Sequence, residues 1–181
     1  TLKYTNDPLE PNSNNSIPFS GHKTSLTFRD TLRGWVGGDL PMNGFVYLYK
    51  TNDGGTTWAP QFISLPAGYT NAFIESGTPK FFNANDAVMP IWMMLDSGQR
   101  DLFIYTTRDG GNTWARSSGF SREGSTVDFI SLSEGFVWNR GGYLQTTKNA
   151  GASWTQVASN TKFGENLLAL DFVSSTTGWA A

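Results

Sequence analysis

The sequence contains no cysteine and only one histidine, His22, and both shortages exclude classes of function. Without cysteine, the chain forms no disulfide, binds no metal through cysteine and has no thiol nucleophile. A hydrolase of the Ser-His-Asp type would depend on His22, and no Gly-x-Ser-x-Gly segment accompanies it. We therefore predict no cofactor, no metal site and no catalytic nucleophile of these kinds.

Charge and long apolar runs are also scarce. Charged residues make up 15% of the 181 residues, and the formal net charge is −2. This balance gives no electrostatic reason to expect binding to nucleic acid or to an anionic membrane. The longest apolar run, Ala87–Leu95, is far shorter than the ~20 residues that span a bilayer. No window repeats its apolar residues at the helical period, and aromatic residues and glycine are frequent, so we expect an all-β protein without a membrane span.

A motif that occurs three times is the most informative feature of the chain. Its frame is Thr-x-Asp/Asn-x-Gly-x-Thr/Ser-Trp, and the copies are Thr51–Trp58, Thr107–Trp114 and Thr147–Trp154. Each copy lies between two β-rich stretches, which predicts a hairpin turn. The Asp or Asn can accept hydrogen bonds from nearby backbone N–H groups, and the glycine permits a positive φ. The predicted turn residues are Thr51, Asp53, Gly55, Thr57, Trp58, Thr107, Asp109, Gly111, Thr113, Trp114, Thr147, Asn149, Gly151, Ser153 and Trp154.

A second motif is interleaved with the first. In it, Phe is followed by five turn-forming residues and then by Gly and an apolar residue. The copies begin at Phe28, Phe129 and Phe172, and a degenerate copy begins at Phe81. The motif returns every ~40–50 residues, which is the length of a four-stranded β-propeller blade.

The first motif resembles the Asp-box, also called the bacterial neuraminidase repeat. This repeat occurs in sialidases, xyloglucan-cleaving glycosidases, sortilin-type receptors and the photosystem II assembly-factor family. The pairing of both motifs at this spacing is most similar to the last group. The resemblance covers roughly residues 24–181. It implies a β-propeller of four-stranded antiparallel blades in which the Asp-boxes are structural turns.

The strand pattern predicts about three and a half blades. They span about 24–64, 80–117 and 125–158, with a partial blade at 167–181, after an N-terminal extension at 1–23. A partial blade leaves strand edges unpaired, and unpaired edges favour association with another chain. The favoured interpretation is part of a larger propeller that self-associates through these edges. In the alternative, Leu2–Asp7 supplies a missing strand to the last blade.

Function is expected on the loops that do not repeat, because variable loops on a rigid scaffold carry binding residues. Two tryptophans outside the first motif could stack on a sugar ring or anchor a partner protein. Inter-blade packing is the alternative for both. The candidate binding residues on this loop face are Asp39, Glu75, Asp96, Arg100, Arg122, Arg140, Trp92 and Trp138.

Two functions remain open from the sequence. The favoured one is a non-enzymatic binding or scaffold module that docks a protein or a glycan on its loop face, in a secreted or cell-surface setting. The alternative is a glycosidase, which needs two facing carboxylates. Asp39, Glu75, Asp96 and Glu165 could supply such a pair, but the Phe-Arg-Ile-Pro signature of sialidases is absent, since Asp30 follows Phe28-Arg29.

Overall fold

The computed structural model describes residues 22–39, 44–157 and 167–181. All regular structure in these residues is β-strand, in sixteen short strands. The chain divides into two compact units, Thr1–Pro79 and Lys80–Ala181. The predicted N-terminal extension, except for His22 and Lys23, and Glu165 lie outside the described residues. No helix in the described part is long and apolar enough to cross a membrane.

The first unit contains one four-stranded antiparallel sheet, which we call blade 1. Its strands follow each other in chain order, as β1–β2–β3–β4. Trp35 and Leu48 are fully buried in it. Its strands are β1 (Lys23–Phe28), β2 (Gly34–Gly38), β3 (Leu48–Thr51) and β4 (Ala59–Pro60).

The stretch 65–79, which lies between the first two predicted blades, contains a strand. Strand β5 (Phe73–Ser76) has alternating burial, with Ile74 and Ser76 fully buried. It lies against β1 and β2 of blade 1, where the Thr24 hydroxyl donates to the Ser76 carbonyl at 2.9 Å. The alternation of Phe73-Ile74-Glu75-Ser76 is too short to distinguish from a loop by pattern alone.

The second unit begins with a sheet that we call blade 2. Strand β7 pairs with β6 on one side and with β8 on the other, and the register of β7 with β8 is continuous from Ala87↔Thr107 to Met94↔Arg100. Two short strands, β9 and β10, pair with different parts of β8. The strands are β6 (Lys80–Phe81), β7 (Ala87–Met94), β8 (Arg100–Thr107), β9 (Ala115–Arg116) and β10 (Ser121–Arg122).

A further four-stranded sheet, blade 3, and a two-stranded hairpin complete the second unit. Blade 3 repeats the antiparallel chain order of blade 1. Its strands are β11 (Gly124–Phe129), β12 (Gly135–Asn139), β13 (Leu144–Thr147) and β14 (Thr155–Gln156), and the hairpin is β15 (Leu170–Phe172) with β16 (Gly178–Ala180). The core between blades 2 and 3 contains Val88, Leu102, Ile104, Phe129 and Val137.

The second motif forms the turn between the first two strands of each sheet. In blade 1, Asp30 Oδ1 accepts hydrogen bonds from the N–H groups of Leu32 at 3.0 Å and Arg33 at 2.8 Å. Asn83, Ser131 and Ser174 accept the corresponding pairs of N–H groups in the other three turns. A short polar side chain two residues after the Phe therefore fixes this turn.

The glycine that closes the second motif leaves room for the phenylalanine that opens it. A Cβ at Gly34 would stand 2.8 Å from the Phe28 ring, and one at Gly135 would stand 2.7 Å from the Phe129 ring. The ring packs directly on the backbone of the paired strand. The Phe-x5-Gly spacing thus follows from packing in these two hairpins, whereas Ala87 takes the glycine position in blade 2.

Candidate functional site

The first copy of the first motif is a closed network of hydrogen bonds. The Thr51 hydroxyl donates to Asp53 Oδ1 at 2.8 Å and accepts from the Gly55 N–H at 2.8 Å. The two carboxylate oxygens of Asp53 accept from the N–H of Thr57 at 2.8 Å and from its hydroxyl at 2.6 Å. The repeated positions of the frame thus bind one another, as expected for a turn.

The second and third copies repeat this network, with one chemical change in the third. Asp109 accepts from Thr107 and Thr113 at 2.7–2.9 Å. In the third copy Asn149 is neutral, so its Nδ2 group donates to the Ser153 hydroxyl at 2.9 Å, where the aspartates accept. Asn149 keeps the turn that the sequence predicted for it.

The two motifs join at one end of each blade. The N–H of Gly54 donates to the Leu32 carbonyl at 2.8 Å, and the N–H of Ala150 donates to the Ser133 carbonyl at 2.9 Å. The Trp that ends the first motif packs edge-on against the Phe that opens the second, with Phe129 and Trp154 ring centroids 6.2 Å apart. The same pair in blade 1 is 6.1 Å apart. This end of each blade is therefore occupied by scaffold contacts.

The electrostatics of the turns agree with a structural role. Hydrogen bonds from the hydroxyl and N–H of Thr57 lower the pKa of Asp53, and those from the N–H and hydroxyl of Thr113 lower the pKa of Asp109 to about 2. Asp30 accepts hydrogen bonds from two backbone N–H groups, and these bonds lower its pKa in the same way. A general acid needs the opposite shift, because it must be protonated near neutral pH.

Two of the candidate binding residues, Asp39 and Glu75, belong to the first unit, and Asp39 makes a structural contact. Asp39 is buried directly after β2, and its carboxylate accepts from the N–H of His22 at 2.7 Å and lies 2.7 Å from the His22 Nδ1 atom. It therefore fixes the approach to β1. Glu75, expected on a loop, lies half-buried in β5.

In the second unit, the β7–β8 turn carries three candidates. Gly98, with φ of 82°, makes the tight turn between the strands. The Arg100 guanidinium lies over the Trp92 ring, 5.1 Å from its centroid, and both side chains are half-buried. Asp96 is exposed at the tip of the turn. The face of Trp92 is thus covered by a cation.

Two further arginines reach the same edge of the unit through backbone pairing. Arg122 lies on β10 directly opposite Asp101 of β8. The N–H of Arg140 donates to the carbonyl of Glu123 at 3.1 Å, which brings the β12–β13 turn beside β10. Arg122 and Arg140 are exposed. We call Arg100, Arg122 and Arg140 the arginine edge.

One predicted residue of the second unit is buried and does not belong to this edge, and Phe120, which lies beside the edge, was missed. Trp138 is buried within β12 and presents no surface for a ligand. Phe120, which is partly exposed, lies under the Arg122 guanidinium at 5.5 Å and against Phe103 at 5.2 Å. Glu123 has a φ of 53° and carries the carbonyl that joins the two turns. The aromatic-cation spacing of Phe120 and Arg122 was the available signal.

Comparison with known proteins supports the fold. No family model and no curated protein matches the sequence. Among solved structures, a Hadza microbial sialidase is 16% identical, with 70% of this chain and 31% of that chain covered and a TM-score of 0.52. YCF48 bound to D1 peptide is 19% identical, covering 79% of this chain and 41% of that chain at a TM-score of 0.49. A Trypanosoma rangeli sialidase is 18% identical, covering 69% and 21% at a TM-score of 0.42.

The fold is that of a β-propeller with neuraminidase-like repeats. The predicted class, all-β with four-stranded antiparallel blades, is confirmed by the sheets and by the similarity to the sialidase structure. The chain spans less than half the length of the first two of these structures. At this level of identity, the similarity supports the fold alone, and the function has to be argued from the residues of this chain.

Proposed function

We propose that this chain is a non-enzymatic binding module whose arginine edge docks an acidic segment of a partner protein. The observation that supports it is that the β8–β10 pairing and the Arg140–Glu123 hydrogen bond bring the backbones of Arg100, Arg122 and Arg140 to one edge of the sheet, where Arg122 and Arg140 are exposed. Because Arg122 stands opposite Asp101, its side chain lies on the other face of the sheet from Arg100. Guanidinium groups pair with carboxylates in a bidentate way, and their flat faces lie on aromatic rings. Trp92 and Phe120 provide such rings here. A segment with carboxylates beside an aromatic residue fits this chemistry.

The repeated turns support the same proposal because their polar groups are used internally. We propose that they are Asp-boxes in the structural sense: their aspartates hold the turn and touch no ligand. Their lowered pKa values keep them ionised at neutral pH. A module built this way has a rigid scaffold and leaves recognition to the other edge.

The alternative is a glycosidase acting through paired carboxylates. Of its candidate carboxylates, Asp39 is held by His22, Glu75 lies in a strand, and Asp96 is exposed on a turn. Glycan binding without catalysis is the third possibility, with Trp92 as the stacking surface. A sugar ring would then have to compete with Arg100 for the Trp92 face.

Calorimetric titration tests the proposal with a synthetic peptide that alternates Glu and Phe and with a matched peptide that alternates Lys and Phe. We expect binding of the acidic peptide only, weakening as salt is raised because exposed charges are screened. Reversing both Arg122 and Arg140 to Glu should weaken binding at least ~tenfold.

The matched control is the double reversal Arg108→Glu and Lys148→Glu, at exposed cations of the second and third turn motifs. It changes the net charge in the same direction and should leave the affinity unchanged. Equal weakening by the control would show that net charge alone is responsible and would overturn the proposal. Hydrolysis in a glycosidase substrate panel that is lost in Asp96→Asn would favour the enzyme instead.

We also propose that the protein acts outside the cell or at its surface and self-associates through open blade edges. Surface biotinylation of the source cells tests the location. An exclusively internal pool would contradict it.

A further inference from the structure

Two arginines and two phenylalanines of blade 2 form a continuous series of cation–ring and ring–ring contacts. The Arg116 guanidinium lies over the Phe103 ring, 5.5 Å from its centroid, and the Phe103 and Phe120 rings are 5.2 Å apart. The Arg122 guanidinium then lies over the Phe120 ring at 5.5 Å. Phe103 is buried, whereas the other three side chains are exposed. We call Arg116, Phe120 and Arg122 the ladder face.

Strand pairing places the ladder face on one side of the sheet at regular intervals. Arg122 stands opposite Asp101 of β8, and Arg116 stands opposite Tyr105 of the same strand. Residues that oppose each other in an antiparallel pair share a face, as do alternate residues of one strand. Phe120 lies two residues before Arg122 and contacts the β8 residue midway between Asp101 and Tyr105. The three side chains therefore mark three levels, each two residues of β8 apart.

Arg100 belongs to the opposite side of this sheet. It precedes Asp101 on β8, and its guanidinium lies over Trp92, which packs against the core between blades 2 and 3. A segment that lies flat on the ladder face thus meets Arg122 and Arg116 but not Arg100. Arg116 is a recognition residue that the arginine edge does not include.

The two cations of the ladder face keep donors for a ligand. None of the ion pairs in the described part of the chain involves Arg116 or Arg122. Arg116 donates one hydrogen bond to the Ser117 carbonyl at 2.9 Å, which holds the guanidinium in place. Asp101, opposite Arg122, is fully buried, and its carboxylate accepts from the Gln99 side chain. A guanidinium stacked on a ring still presents N–H groups at its edge to a carboxylate.

The backbone of β8 is already paired along the ladder. It pairs with β7 on one side over its whole length, and with β10 and β9 at the two ends of its other side. A partner therefore does not join this strand by backbone hydrogen bonds, as peptides do at an open sheet edge. Recognition has to use side chains that face the ladder.

We propose that the ladder face binds an extended segment with an acidic, an aromatic and an acidic residue at alternate positions. Alternate side chains of an extended chain are ~7 Å apart on one face, which equals the interval between the levels along β8. The two carboxylates pair with Arg122 and Arg116, and the aromatic ring packs on Phe120 between them. This inference rests on the proposed binding of an acidic segment and names the sequence pattern of that segment.

Calorimetric titration with two peptides of equal composition tests the pattern. Glu-Ser-Phe-Ser-Glu presents all three side chains on one face, whereas Glu-Phe-Ser-Ser-Glu keeps the two carboxylates in place and turns the Phe to the other face. The parent chain should bind the first peptide at least ~threefold more tightly, because only that peptide gains the ring contact with Phe120. Equal affinity of the two peptides would overturn the proposal.

Two variants assign the contacts. Arg116→Gln should weaken binding of Glu-Ser-Phe-Ser-Glu about three- to tenfold, and Arg108→Gln, the same change at an exposed arginine of the second turn motif, should not. Phe120→Ala should abolish the preference between the two peptides, with circular dichroism confirming its fold. The preference of the parent needs no variant, so the pattern is tested even if Phe120→Ala does not fold. Equal weakening by Arg108→Gln and Arg116→Gln would refute the assigned contact.

The same titrations separate this inference from the proposed function. If both peptides bind equally and the joint reversal of Arg122 and Arg140 weakens both, the acidic segment stands and the alternate pattern is refuted. If neither these peptides nor the alternating Glu-Phe peptide binds, the acidic segment itself is refuted, and the pattern with it.

Discussion

At the scale of single residues, the aspartates of the first motif are held by several hydrogen bonds within their own turns. Asp109 accepts from Thr107 and from both donors of Thr113. Replacing Asp109 with Ala should lower the free energy of unfolding by ~1–2 kcal/mol, because the turn loses its central acceptor. Urea denaturation measures the loss. Affinity for a ligand per folded molecule should stay constant, and a large loss of binding at unchanged stability would make the turn a site.

In the third copy of the first motif, one residue has a strained backbone conformation. Ala150 has a φ of 56°, where the first two copies have Gly54 and Gly110 at 71° and 70°. Left-handed backbone is unfavourable for a residue with a Cβ. Ala150→Gly should therefore stabilise the protein by ~0.5–1 kcal/mol in spite of the added chain entropy. The matched change Ala152→Gly, at a residue without a positive φ, should not stabilise it in thermal unfolding.

The lowered aspartate pKa values predict acid sensitivity over a defined window. As pH falls from about 4, the ordinary value for an aspartate, the unfolded chain takes up protons before the folded chain does. Stability contributed by Asp109 is therefore full above that range and lost as pH approaches the folded pKa of about 2. Asp109→Asn should flatten this part of the pH profile of the unfolding free energy. A parallel profile for the variant would contradict the assignment.

At the scale of elements, the second motif depends on the contact between its glycine and its phenylalanine. A Cβ at Gly135 would stand 2.7 Å from the Phe129 ring. Gly135→Ala should destabilise the protein by ~1–3 kcal/mol through overpacking. Gly141→Ala is the control, because its nearest neighbour would be the Asn139 side chain at 3.3 Å. Equal stability losses in urea denaturation would show that the glycine matters for chain entropy rather than for packing.

The two motifs made the elements predictable because each encodes a local hydrogen-bond network. The turn at Asp53 and the hairpin at Phe28 follow from residues within a few positions of each other, which a sequence displays directly. Asp39 was placed on a loop and lies buried against His22, and this pairing depends on how β1 meets β2. Strand β5 was missed because Ile74 and Ser76 alternate over too short a stretch.

The arginine edge was predictable only as a set of separate residues. Arg100, Arg122 and Arg140 were each selected because they fall outside the repeats. Their position at one edge of the sheet depends on β10 pairing with the first residues of β8 and on one hydrogen bond to Glu123. Strand β10 is two residues long. No sequence period identifies a strand of that length, so the arginine edge is recognised only once the strand pairing is known.

At the scale of the whole molecule, blade 3 is stabilised by the element that follows it in the chain, as in other repeat proteins. The β15–β16 hairpin covers Phe136 and supplies the N–H that Asp128 accepts. Deleting 167–181 should therefore destabilise blade 3 by several kcal/mol, on the order of the loss of a buried aromatic contact. Hydrogen exchange should become faster in β11 and β12, while blade 1 should keep its protection.

The deletion of Thr1–Asp7 complements that experiment. If the chain is part of a larger propeller, these residues do not close its last blade, and their removal should leave stability and exchange in the second unit unchanged. If Leu2–Asp7 instead provides a strand to the hairpin, its removal should speed exchange in β15 and β16 as strongly as cutting the hairpin speeds exchange in β11. Sedimentation of both truncated chains completes the test: a stable parent monomer that unfolds without its first seven residues would refute the larger-propeller interpretation.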